Sequence, residues 1–76
     1  MEADQVKSLV SSAFPDATVS VALEMGHYTV TVISESFAGM RPVARQQRVY
    51  APLADIIADG AIHAVNIRAM TPAEAG

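Results

Sequence analysis

The chain has 76 residues, the size of one small domain, and it contains no cysteine. Without thiols there is no disulfide, cysteine nucleophile or zinc ribbon, and an iron–sulfur cluster would need thiolates from another molecule. Eight acidic and five basic residues give a net charge of −3, which argues against a general nucleic-acid binder. No apolar run approaches the ~20 residues of a membrane helix and no secretion signal is visible, so we expect a cytoplasmic protein.

The N-terminal part of the chain predicts a helix followed by a β-hairpin. Apolar residues recur at helical spacing in residues 2–13, and Pro15 predicts the end of that helix. From Thr18 the apolar period changes to two, which predicts strands over residues 18–23 and 28–33. The four residues between them, 24–27, predict a turn that carries His27.

The C-terminal part predicts two short helices, a strand and a helix start. Pro42 and Pro52 each favour the first turn of a helix, so residues 42–59 are expected to form two helices with a kink between them. Residues 62–69 predict a strand, and Thr71-Pro72 predicts a further helix start. The order α-β-β-α-α-β predicts an α+β two-layer sandwich over residues 1–76, with a three-stranded mixed sheet and helices on one face.

The two histidines, His27 and His63, are the candidate metal ligands. They are 36 residues apart, so only the fold could bring them together, and no local ligand spacing supports a site. His27 can equally be read as an exposed turn residue, and His63 as a partly buried histidine at a strand start. Sequence spacing alone leaves both interpretations open.

The arginines form the second candidate site. Arg41, Arg45 and Arg48 fall within eight consecutive positions and would line one helix face after Pro42. They could bind a carboxylate-rich protein, glutathione or nucleic-acid phosphate, and they could equally form a solvated helix face. No nucleophile elbow and no phosphate-binding glycine loop occur in the sequence, so we expect a binding protein that is not an enzyme.

Several short runs of the sequence together carry a family resemblance. They are Phe37-Ala38-Gly39-Met40, Arg45-Gln46-Gln47-Arg48-Val49-Tyr50, Ile62-His63-Ala64-Val65-Asn66-Ile67 and Thr71-Pro72. From about Val6 to Glu74 the chain resembles the BolA family. The run Gly26-His27-Tyr28 is similar to the subgroup that has a histidine in the hairpin loop.

The resemblance implies a fold similar to the class II KH domain and a role as an adaptor. BolA-like proteins pair with a monothiol glutaredoxin and share a bridging two-iron, two-sulfur (2Fe-2S) cluster, in iron–sulfur cluster trafficking or iron and redox regulation. The glutaredoxin supplies its cysteine and a bound glutathione, while His63 and His27 would be the ligands from this chain. No cofactor is expected in the isolated chain, which could form a homodimer when alone.

The family also offers an alternative, because some BolA-like proteins are described as transcriptional regulators of stress or morphology. DNA would then be bound by Arg41, Arg45 and Arg48, with Arg68 as a further contact. The sequence departs from the family pattern at Gln46-Gln47, where many members have Arg-His, and it lacks the Gly-x-x-Gly loop through which KH domains bind RNA. The net charge of −3 favours the adaptor over the regulator.

Overall fold

The computed structural model describes residues 2–62 and 64–76. The helices within them are α1 (Ala3–Ala13), α2 (Pro42–Tyr50), α3 (Ala54–Ala58) and α4 (Pro72–Ala75). The strands are β1 (Thr18–Glu24), β2 (His27–Ile33) and β3 (Ala64–Met70). Short 3₁₀ helices span Glu35–Phe37 and Ala51–Leu53. The element order therefore agrees with the order predicted from periodicity and proline positions.

The strands form one mixed sheet in the order β1-β2-β3. β1 and β2 pair antiparallel, from Thr18 opposite Ile33 to Glu24 opposite His27. β2 and β3 pair parallel, so that His27 lies beside Ala64. Side chains alternate between a face buried against the helices and an open face, as strand geometry requires. The predicted α+β two-layer sandwich with a three-stranded mixed sheet is confirmed.

The core lies between the helical layer and the inner face of the sheet. Its fully buried side chains come from helices, strands and the segments after β2 and before β3: Val6, Val10, Val30, Val32, Phe37, Val49, Leu53 and Ile62. The rings of Phe14 and Phe37 have centroids 5.7 Å apart with a tilted arrangement, a favourable geometry for aromatic pairs. Phe37 reaches this position because residues 35–37 form a 3₁₀ turn capped by the Ser34 hydroxyl.

The hairpin differs from its prediction. The loop between β1 and β2 consists of two residues, Met25 and Gly26. The prediction that four residues, 24–27, separate the two strands was wrong. Met25 and Gly26 have φ of 49° and 80°, the positive values that a type I′ turn requires and that match the twist of the strands. Strand pairing therefore continues to Glu24 and His27, so His27 is the first residue of β2 and lies outside the two-residue loop.

Replacing Met25 with asparagine is expected to stabilise the protein by about 0.5–1 kcal/mol. Met25 is 98% exposed, so the substitution loses no packing, and asparagine tolerates the left-handed backbone that methionine disfavours. Urea unfolding of M25N and M25V measures the effect. The β-branched valine should destabilise, and equal stability of both variants would show that this backbone conformation is not a source of strain.

Candidate metal centre and arginine residues

His27 lies on the open face of the sheet at the start of the central strand. Its side chain is exposed and has two register neighbours on the same face, Glu24 on β1 and Ala64 on β3. Directly opposite residues of an antiparallel pair have Cβ atoms about 4.5–5.5 Å apart. Glu24 is therefore a neighbour of His27 on the open face, and the exposed imidazole can face a partner or a metal.

His63 lies outside the described residues. Its sequence neighbour Ala64 is described, and Ala64 is the residue that pairs with His27. The parallel register thus brings the residue after His63 beside the other histidine, although 36 positions separate the two in sequence. Ligation of a metal by His27 and His63 stays a prediction.

Residues 2–62 and 64–76 contain neither a three-residue metal cluster nor a membrane-spanning helix. No three side chains among the described His, Asp and Glu residues form a group that could hold a metal ion. No helix in the same part of the chain is long and apolar enough to cross a membrane.

Arg45 points to the edge of β3 and to the C-terminal helix. Its Nε donates to the Met40 carbonyl at 3.0 Å, and its Nη1 donates to the Ala69 carbonyl at 3.4 Å. Both terminal nitrogens donate to the Glu74 carboxylate, at 2.6 and 3.3 Å. With only 13% of its side chain exposed, Arg45 is engaged within the molecule. Its predicted role in binding an external anion stays a prediction.

The other arginines lie apart from this bridge. The Arg48 guanidinium stacks over the Phe14 ring, 5.4 Å from its centroid, on the N-terminal helix side of the molecule. Arg41 is the exposed N-cap residue of α2, and Arg68 is exposed on the open face of the sheet. Of the four arginines predicted to bind an anion, Arg41, Arg48 and Arg68 are exposed, whereas Arg45 is largely buried.

Glu74 is a partner that the sequence analysis missed. Its carboxylate accepts from the Thr71 backbone N–H at 2.8 Å, while the Thr71 hydroxyl accepts from the Glu74 N–H at 3.3 Å. This reciprocal arrangement is a capping box, and the spacing Thr-x-x-Glu would have indicated it. The hydrogen bonds from Arg45, and then from Thr71, hold the pKa of the Glu74 carboxyl below its usual value.

We expect Glu74→Gln to lower stability at neutral pH and to have little effect in acid. Because its pKa is lower in the folded chain, the carboxylate contributes stability above its unfolded-state pKa. That contribution is lost as the pH falls through the lowered, folded-state pKa. Thermal unfolding of wild type and E74Q from neutral to acidic pH should give curves that converge. A gap of constant size would contradict the charge-dependent role, and D55N provides an exposed carboxylate control.

A groove beside β3 is the second feature that the sequence analysis did not single out. It has a volume of about 370 Å³ and is lined from α2 and β3 by Gln46, Gln47, Tyr50, Val65, Asn66 and Ile67. Tyr50 is 43% exposed, and both glutamines are exposed. The side-chain spacing of α2 could have indicated this face, because Gln46, Gln47 and Tyr50 are three and four residues apart.

The molecule is an α+β domain with an exposed histidine on the open face of its sheet. The family model described as BolA-like protein matches residues 8–74. The chain therefore belongs to the BolA family.

Named relatives and solved structures agree with this assignment. The chain is similar to the acid stress protein IbaG of Escherichia coli, with 43% identity over 97% of this chain and 88% of the relative. It is 52% identical over 48 residues to the DNA-binding transcriptional regulator BolA of Vibrio cholerae, covering 63% of this chain and 44% of that protein. The solution structure of BolA1 from Mus musculus aligns with a TM-score of 0.81 and 28% identity, over 95% of this chain and 66% of that one.

Proposed function

We propose that this protein is an adaptor that pairs with a monothiol glutaredoxin and shares a bridging 2Fe-2S cluster with it. The observation that supports the proposal most is the position of His27. It is exposed on the open sheet face, and its register partner Ala64 directly follows His63 in the sequence. A partner approaching this end of the sheet would meet an accessible imidazole, and no helix of the described residues covers it.

The donor set of the chain fits half of such a cluster. The chain has no cysteine, and imidazole can replace thiolate on one iron, as in Rieske centres. The remaining ligands would be the glutaredoxin cysteine and the thiolate of its bound glutathione. Imidazole ligates only when it is neutral, so the shared site should weaken on acidification.

Glu24 has a supporting role in this proposal. A ligating histidine usually donates its other ring N–H to a carboxylate or carbonyl, which fixes the tautomer and the ring orientation. Glu24 lies opposite His27 in the hairpin register and is the described carboxylate placed for that contact. The carboxylate would fix the tautomer and the orientation of the His27 ring.

Titration of a cluster-loaded monothiol glutaredoxin with this protein tests the proposal. Visible absorption and circular dichroism should change to a new spectrum with an endpoint at a one-to-one ratio, and native mass spectrometry should show the complex with its cluster. His27→Ala should weaken cluster sharing, and His27→Cys should restore it with a shifted spectrum, because thiolate is also a cluster ligand. An unchanged spectrum without a complex would reject the adaptor function.

DNA binding is the second candidate function. A relative that carries the name DNA-binding transcriptional regulator matches 63% of the chain, and Arg41, Arg48 and Arg68 are exposed. If this function holds, fluorescence anisotropy should show DNA affinity that falls steeply as salt is raised, because counterions are released on binding. R41E/R48E should remove that binding, and R45E should remove less because Arg45 is engaged with Glu74. Affinity independent of salt would exclude the regulator.

A further inference from the structure

β3 is an edge strand, and no strand among residues 2–62 and 64–76 pairs with its outer edge. The Ser34 N–H donates to the Met70 carbonyl at 2.9 Å, so the backbone of Met70 points toward the β2 side of the strand. Arg45 donates to the Ala69 carbonyl from the other side of the strand, so the backbone groups of Ala69 point away from β2. The direction of the backbone N–H and carbonyl groups alternates along a strand. The backbone groups of Val65 and Ile67 therefore also point away from β2, toward the outer edge.

The open part of this edge is short and has a defined end. The Arg45 guanidinium, which is ion-paired with Glu74, already donates to the Ala69 carbonyl. Another strand therefore cannot pair with β3 at Ala69 or beyond it toward α4. Val65, Asn66 and Ile67 all line the groove described above, next to Tyr50 of α2. A strand that pairs here would therefore use Val65 and Ile67, with Asn66 at the centre.

We infer that this edge pairs with the same edge of a second copy of the chain, in an antiparallel arrangement centred on Asn66. The N–H of Val65 then meets the carbonyl of Ile67 in the other copy, and the N–H of Ile67 meets the carbonyl of Val65 there. Two-fold symmetry makes the contact identical from both sides. The sheet becomes continuous across two molecules, and the exposed edge is covered.

The side chains around the edge favour a second copy as the occupant. The groove has an uncharged lining, and its Gln46, Gln47 and Asn66 amides each carry a donor and an acceptor. Such groups can pair with copies of themselves, whereas a charged peptide would find no opposite charge in the lining. Two chains of net charge −3 also repel each other least where they approach through an uncharged surface.

The proposed register places Asn66 directly opposite Asn66 of the second copy on the open sheet face, and Arg68 opposite Ala64. Like charges at directly opposite positions destabilise an antiparallel pair, and opposite charges stabilise it. Asn66 can therefore be replaced by an acidic or a basic residue to test the pairing. These substitutions leave the hydrophobic core unchanged, because Asn66 is exposed.

Sedimentation velocity from micromolar to millimolar concentration is expected to show a monomer–dimer equilibrium for the wild type. Asn66→Asp and Asn66→Lys should each be monomeric, and an equimolar mixture of the two should form the heterodimer, detected by native mass spectrometry. Ala22→Asp and Ala22→Lys are the matched controls, since Ala22 lies in the same row of the open face on β1. A wild type that stays monomeric, or Asn66 variants that dimerise like wild type, would overturn the inference.

A backbone change provides an independent test. Replacing the amide of Ile67 by an ester in a chemically synthesised chain removes its outward N–H and retains the side chain. The lost hydrogen bond occurs twice in a two-fold dimer, so dimer dissociation should become about 30-fold easier. The same change at Val21, whose N–H points outward from β1, should leave the dimer unchanged. If only the Val21 ester weakened the dimer, the two copies would pair through β1 and the inference would be overturned.

Discussion

Phe37→Ala is expected to lower the free energy of unfolding by about 3–5 kcal/mol. Phe37 has no exposed surface and packs against the Phe14 ring, so truncation removes buried apolar area and leaves a cavity. A domain of this length has a total stability of only about 4–11 kcal/mol. The variant should therefore be near its unfolding limit at room temperature, as measured by urea denaturation with circular dichroism.

Val43→Ala is the control for this prediction. Val43 is a large apolar residue of α2 that is 68% exposed, and its truncation should change stability by less than about 0.5 kcal/mol. Similar losses from both substitutions would contradict the assignment of Phe37 to the centre of the core and of Val43 to the surface.

His63→Ala is expected to abolish cluster sharing with the glutaredoxin. Removal of the His63 imidazole leaves His27 as the one histidine of the chain, and the chain has no thiol to supply the missing ligand. The cluster should stay with the glutaredoxin, with its original visible circular dichroism, at every ratio of the two proteins.

Two controls separate ligation from folding in that experiment. Far-ultraviolet circular dichroism of H63A should match the wild type, because the expected loss concerns the cluster and not the fold. Met25→Ala changes an exposed side chain near His27 and should leave cluster sharing intact. If H63A shares the cluster as the wild type does, His63 is not a ligand.

Periodicity and proline positions predicted most of the fold because they report which residues are buried. The spacing of Val6 and Val10 predicted the buried face of α1, and Pro42 and Pro52 predicted the kinked pair of helices. The turn length was missed because a type I′ turn is usually signalled by Asn-Gly or Asp-Gly, and here methionine occupies the first position. Register, and not a local signal, determined that His27 belongs to β2.

The candidate sites were less predictable than the fold because they depend on long-range contacts. Arg45 and Glu74 are 29 positions apart, and nothing in the spacing of the arginines indicated that one of them bonds to the C-terminal helix. The proximity of His27 to Ala64 likewise follows from the parallel pairing of β2 with β3. Family resemblance supplied the metal hypothesis that these contacts alone would not have suggested.

Whether this chain provides a ligand to the cluster can be measured by electron–nuclear double resonance on the reduced complex. The protein would carry isotopically labelled histidine nitrogens and be mixed with a cluster-loaded, unlabelled monothiol glutaredoxin. If the cluster is shared, a labelled imidazole nitrogen bound to iron should give strong hyperfine coupling, and H63A should lack that coupling. A complex whose cluster has no labelled nitrogen ligand would contradict the adaptor proposal, because the chain would then bind the glutaredoxin without sharing its cluster.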